Sequence, residues 1–85
     1  MNTVTMYSTE TCPYCIRAEQ LLKKKGVSDL VKIRIDEHPA EMESMIARTG
    51  RRTVPQIYIG ETHVGGFDDM AALDRAGKLD TLLND

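Results

Sequence analysis

Between Thr3 and Asp36 the chain reads strand, helix, strand, and no other feature narrows the fold as much. Thr3 to Tyr7 alternates, with Val4 and Met6 on one face and Thr3, Thr5 and Tyr7 on the other, which is the period of a strand. Ala18, Leu21 and Leu22 then recur at helical spacing. Thr11 is expected to cap this helix, Pro13 falls in its first turn, where a missing N–H costs nothing, and Gly26 stops it. Leu30, Val31, Ile33 and Ile35 make an apolar, largely β-branched run ending near Asp36. Two strands joined by a helix imply a right-handed crossover and parallel pairing.

The remaining elements extend that unit. Pro39 opens a second helix with Met42, Met45 and Ile46 inward, and Gly50 ends it. Val54 to Ile59 reads as a third strand with Ile57 and Ile59 on one face. Gly60-Glu61 suits a two-residue II′ turn into Thr62 to Val64, so this hairpin must add antiparallel. Asp68 and Asp69 look like the cap and first turn of a helix through Met70, Leu73 and Ala76, closed by Gly77, and Leu79, Leu82 and Leu83 suggest a short last helix. The expectation is one α/β domain over residues 1–85, a four-stranded mixed sheet with helices on both faces. A chain of 85 residues buries only about 60–65% of its unfolded surface, so the core must be thin.

Charge narrows the partners. Eleven basic against 13 acidic side chains leave a net charge of −2, which argues against nucleic acid or an anionic membrane surface. With no Trp and one Phe, a base-stacking platform is not expected either. No apolar run is long enough to span a bilayer, and Met1 to Tyr7 lacks the basic start and apolar stretch of a secretory signal. A cytoplasmic chain is therefore expected, in a compartment that keeps thiols reduced. Both cysteines lie in one C-x-x-C, too few for a disulfide scaffold, which leaves catalysis or metal. A closed zinc site needs four ligands, and His38 and His63 are far apart and read as surface or strand-end residues, so no metal is expected.

Cys12-Pro13-Tyr14-Cys15 falls between the first strand and the first helix. Residues i and i+3 share a helix face with Cβ atoms about 5–6 Å apart, close enough to cycle between dithiol and disulfide. A thiol of ordinary pKa is roughly 3% thiolate at pH 7, and the unpaired N–H groups of a helix mouth raise that fraction. Cys12 is thus the expected nucleophile and Cys15 the resolving thiol. Three further segments fit redox work on a peptide-like ligand. At Thr53-Val54-Pro55, a proline at the strand start leaves the Val54 backbone exposed to pair with a ligand as one more strand. In Gly65-Gly66-Phe67-Asp68-Asp69, helix-opening N–H groups suit a carboxylate and the Asp69 carboxylate suits an amine, together an α-amino acid terminus. Arg51-Arg52 stands beside the substrate strand and could meet a carboxylate.

Cys12-Pro13-Tyr14-Cys15, Thr53-Val54-Pro55 and Gly65-Gly66-Phe67-Asp68-Asp69, in this order and at these separations, resemble a dithiol glutaredoxin of the short bacterial type, over essentially the whole chain. The resemblance implies a thioredoxin fold with sheet order 2-1-3-4, a cis bond at Pro55, and glutathione as co-substrate with no tightly bound cofactor. It implies that Tyr14 lines the glutathione groove, that Val54, within Thr53-Val54-Pro55, pairs with the cysteine moiety, and that Gly66, Phe67, Asp68 and Asp69 hold the γ-glutamyl end. Thr9 stands where many members carry a Lys near the thiolate, which leaves Arg17 or Arg52 to supply that charge.

The implied activity is glutathione-dependent reduction of protein disulfides and glutathione mixed disulfides by a monomer. Its partners would be glutathionylated or disulfide-containing proteins such as ribonucleotide reductase. Two other readings stand beside it. One is a thioredoxin-like donor reduced by a flavoprotein reductase, against which the Gly65-Gly66 and Asp68-Asp69 segment argues. The other is an iron–sulfur carrier, against which Pro13 argues, because cluster-binding relatives usually have a small residue there.

Overall fold

In the computed structural model, which describes residues 2–84, the first strand β1 (Val4–Ser8) lies inside the sheet. Met1 and Asp85, the ends of the expected domain, lie outside the described residues. Helix α1 (Pro13–Lys24) leads to β2 (Val31–Arg34), which pairs parallel to β1 with Met6 opposite Lys32. Helix α2 (Pro39–Thr49) follows and ends at Gly50, whose φ of 72° lies in the left-handed region. Strand β3 (Gln56–Ile59) pairs antiparallel to β1, and β4 (Thr62–Gly65) antiparallel to β3. The turn between them has positive φ at Gly60 alone, the II′ signature. The sheet order is β2-β1-β3-β4. Helices α3 (Phe67–Arg75) and α4 (Leu79–Asn84) complete the chain.

Strand alternation divides the apolar residues into two cores. Val4, Met6, Ile57 and Ile59 face α1, α3 and α4, meeting Ala18, Leu22, Met70, Leu79 and Leu83. Tyr7 and Tyr58 face the other way and meet Met45 of α2 with Ile35. Asn2 closes the first core by bonding from its backbone N–H and side chain to the carbonyls of Leu83 and Leu82.

Two helix starts differ from expectation. Thr11 does not cap α1. Pro13 takes the first helical position, so Cys12 becomes the cap and its own sulfur accepts the Cys15 N–H. Likewise Asp68 does not cap α3. Gly66 does, and Asp69, three residues on, accepts the Gly66 N–H at 2.9 Å. Strand β2 is also shorter than its apolar run and lies at a sheet edge, with Val31 exposed. Its Lys32 pairs with Glu19 and its Arg34 with Asp36 and Glu37.

Candidate active site

The two cysteines follow β1 at the start of α1, Cys12 as its cap and Cys15 in its first turn, at the end of the sheet to which the strand leads. Their Cα atoms are 5.1 Å apart and the sulfurs are bonded. The Cys15 N–H donates to Cys12 Sγ at 3.1 Å. Both residues are nearly buried, at 7% and 4% exposure, with a small cleft on one side of Cys12 and a larger groove, walled by Val54, on the other. The far wall of that groove begins at Val54, whose carbonyl oxygen is 3.8 Å from Cys12 Sγ. The Val54–Pro55 peptide is cis. Among the described residues the Val54 N–H has no hydrogen-bond acceptor, so its backbone is open to pairing.

The groove has a volume of about 300 Å³. Tyr14 forms one lip, half exposed, with its ring 6.3 Å from that of Phe67 across the opening and the Arg17 guanidinium 5.3 Å from its centre. Thr53, Val54 and Pro55 form the floor, while Gly66, Phe67, Asp68 and Asp69 form the end where α3 begins. Asp69 is held by the Gly66 N–H and by Arg51 Nη1 at 3.1 Å. Those two donors, the backbone N–H first, keep its carboxyl below the usual carboxylate range.

A domain with this dithiol at a helix mouth beside a cis-proline groove matches known proteins over its full length. Residues 4–64 match the family model described as Glutaredoxin. A glutaredoxin of Pseudomonas aeruginosa is 56% identical over 84 residues, 99% of both chains. Glutaredoxin 3 of Escherichia coli is 54% identical over 83 residues, 98% of this chain and 99% of that one. The crystal structure of a buckwheat glutaredoxin–glutathione complex superposes with a TM-score of 0.88 at 33% identity, covering 96% of this chain and 76% of that one. The chain belongs to the glutaredoxin family. It is a glutathione-dependent thiol–disulfide oxidoreductase whose redox-active dithiol is the Cys12–Cys15 pair.

In this glutaredoxin Arg51, not Arg52, reaches the groove; Arg52 is exposed and outside its lining. Thr9 lies on the opposite side of the dithiol, in a cleft of about 130 Å³ shared with Glu10, Glu19, Lys32 and Arg34. Gln56 also lines the groove, although its residue type in a strand gave no reason to single it out. It is 1% exposed, and its amide donates to the Thr53 carbonyl at 3.0 Å and hydroxyl at 3.3 Å. His63, read as a surface or strand-end residue, lies within β4 and is half-buried, with Nε2 2.8 Å from Gln56 Oε1 and its ring stacked on Tyr58. Its pKa is pushed down from the ordinary 6.5, by burial first and then by Arg51, while Asp69 opposes the shift. No cluster of three metal-ligating side chains occurs among the described residues, and none of the described helices is long and apolar enough to cross a membrane.

Proposed function

We propose that Cys12 is the attacking sulfur and Cys15 the resolving one, and that the adjoining groove takes glutathione along its length. We place the protein in the cytoplasm as a single-domain monomer, with glutathionylated proteins and enzymes such as ribonucleotide reductase as targets. The supporting observation is the Cys15 N–H aimed at Cys12 Sγ from the first turn of α1. An N–H donor and the positive end of a helix favour the anion over the thiol at that sulfur.

The Cys12 thiolate attacks the glutathione sulfur of a glutathionylated protein. The protein sulfur leaves as thiolate and takes a proton from water. Cys12 now carries glutathione, with the cysteine moiety paired to the open Val54 backbone, Tyr14 alongside, and the γ-glutamyl ammonium toward Asp69. A second glutathione thiolate attacks the glutathione sulfur, releasing glutathione disulfide and returning Cys12 as thiolate. In the dithiol route Cys12 attacks a protein disulfide, Cys15 displaces the second protein thiolate by closing the Cys12–Cys15 bond, and two glutathiones reopen it. A low-pKa sulfur is also the better leaving group, so both halves gain.

Turnover of a small glutathione mixed disulfide, coupled to glutathione and glutathione reductase, tests the assignment. Cys12→Ser abolishes the activity, while Cys15→Ser retains much of it because glutathione alone can resolve the adduct. Equal loss in both variants would contradict the division of roles.

A further inference from the structure

Behind the groove a polar chain runs through an otherwise apolar face of the sheet. Arg48 of α2 donates to the Tyr7 hydroxyl at 2.9 Å and lies 4.0 Å from the centre of the Tyr58 ring. Tyr58 stacks on His63, with centroids 5.1 Å apart, and His63 Nε2 meets Gln56 Oε1 at 2.8 Å. Gln56 in turn grips Thr53 at two oxygens.

The donor roles along this chain can be assigned. The Thr53 carbonyl only accepts, so the nitrogen of the Gln56 amide must face it, and Oε1 must face His63. Oε1 only accepts, so His63 Nε2 carries the proton. Gln56 is buried, and an amide deprived of one partner there would be left unsatisfied or would turn, releasing Thr53. The register shift between β3 and β4 falls between Ile57 and Tyr58, and it sets His63 opposite Tyr58 and within reach of Gln56.

We propose that His63 is a positioning residue for substrate binding: through the Gln56 amide it holds the Thr53-Val54-Pro55 segment in the shape that glutathione pairs with. This rests on the glutathione groove proposed above. His63 lies outside the groove lining and touches neither sulfur, so its effect belongs to substrate affinity and not to the thiolate step.

Two substitutions separate hydrogen bonding from stacking. His63→Phe keeps a ring on Tyr58 and removes the donor; His63→Gln keeps a donor at similar reach and removes the ring. With a glutathione mixed disulfide as substrate, His63→Phe raises KM about three- to tenfold, the range of one ordinary hydrogen bond, and leaves kcat within about twofold. His63→Gln stays near wild type. A neutral His63→Phe, a His63→Gln as impaired as His63→Phe, or a fall in kcat at unchanged KM would each overturn the proposal. A wild-type protein that fails to turn over the substrate would instead sink the glutathione groove, and this inference with it. Should His63→Phe not fold, long-range ¹H–¹⁵N spectra of the wild type decide the matter: a neutral ring protonated on Nε2 is expected, and a proton on Nδ1 would refute the chain.

Discussion

Thr9 and His63 sit on opposite sides of the chemistry, and each makes a prediction at the scale of one side chain. The cleft around Thr9 contains Lys32 and Arg34, but Glu19 holds the first and Asp36 and Glu37 hold the second. Thr9→Lys would add a cation not already committed to a carboxylate. It should move the pH midpoint of iodoacetamide alkylation at Cys12 down by roughly half a unit to one unit; an unchanged profile would show that position 9 has no electrostatic role. For His63, the neutral form persists in the fold at pH values where the unfolded chain has taken a proton. The unfolded state then binds more protons, so stability falls as pH drops below the ordinary 6.5 and levels off beneath the folded-state value. Urea midpoints from about pH 7.5 to about pH 5 should show that fall, and His63→Gln should lose it. The dithiol, the Thr53-Val54-Pro55 segment and the α3 mouth were legible because each is a contiguous run with its own backbone chemistry. Arg51, Gln56 and His63 were not. Which of two adjacent arginines turns toward the groove depends on loop backbone, and the Gln56–His63 contact crosses two strands at a register shift.

Among the elements, order and type followed from periodicity, while both misplaced caps concern helix phase. Thr is a better cap than Cys by side-chain chemistry, yet Pro13 at the first helical position already implies a cap at residue 12. An acidic residue three places after a glycine carries the same information at α3. That junction also separates its two glycines. Gly65 has φ of +111°, and a Cβ there would run into the Asp69 carboxylate, whereas a Cβ on Gly66 would make ordinary contacts with the Pro55 carbonyl at 3.5 Å and Asp69 Oδ2 at 3.9 Å. Gly65→Ala should therefore cost about 1–3 kcal/mol, and Gly66→Ala less than about 1 kcal/mol, both read from urea denaturation. Equal costs would mean that α3 tolerates a shifted start.

For the molecule as a whole, the sheet divides a limited apolar supply unequally. The face toward α1, α3 and α4 carries most of the buried residues, and α2 is secured mainly by Met45 against Tyr7, Ile35 and Tyr58. A chain of 85 residues has about 4–13 kcal/mol of stability in total. Met45→Ala should remove about 2–5 kcal/mol of it and loosen α2 first, seen as early amide exchange in 39–49. A loss spread evenly over the sheet would show that the two cores open as one.

The outer margin of β2 has one more consequence. A lone strand there offers free amides to any passing chain, a common seed for fibrils. Here the incoming backbone would have to settle against ammonium and guanidinium groups bound in place by Glu19, Asp36 and Glu37. Shedding their hydration is unfavourable, so the sticky rim of a small, thinly cored protein is kept wet and edge-to-edge stacking is discouraged.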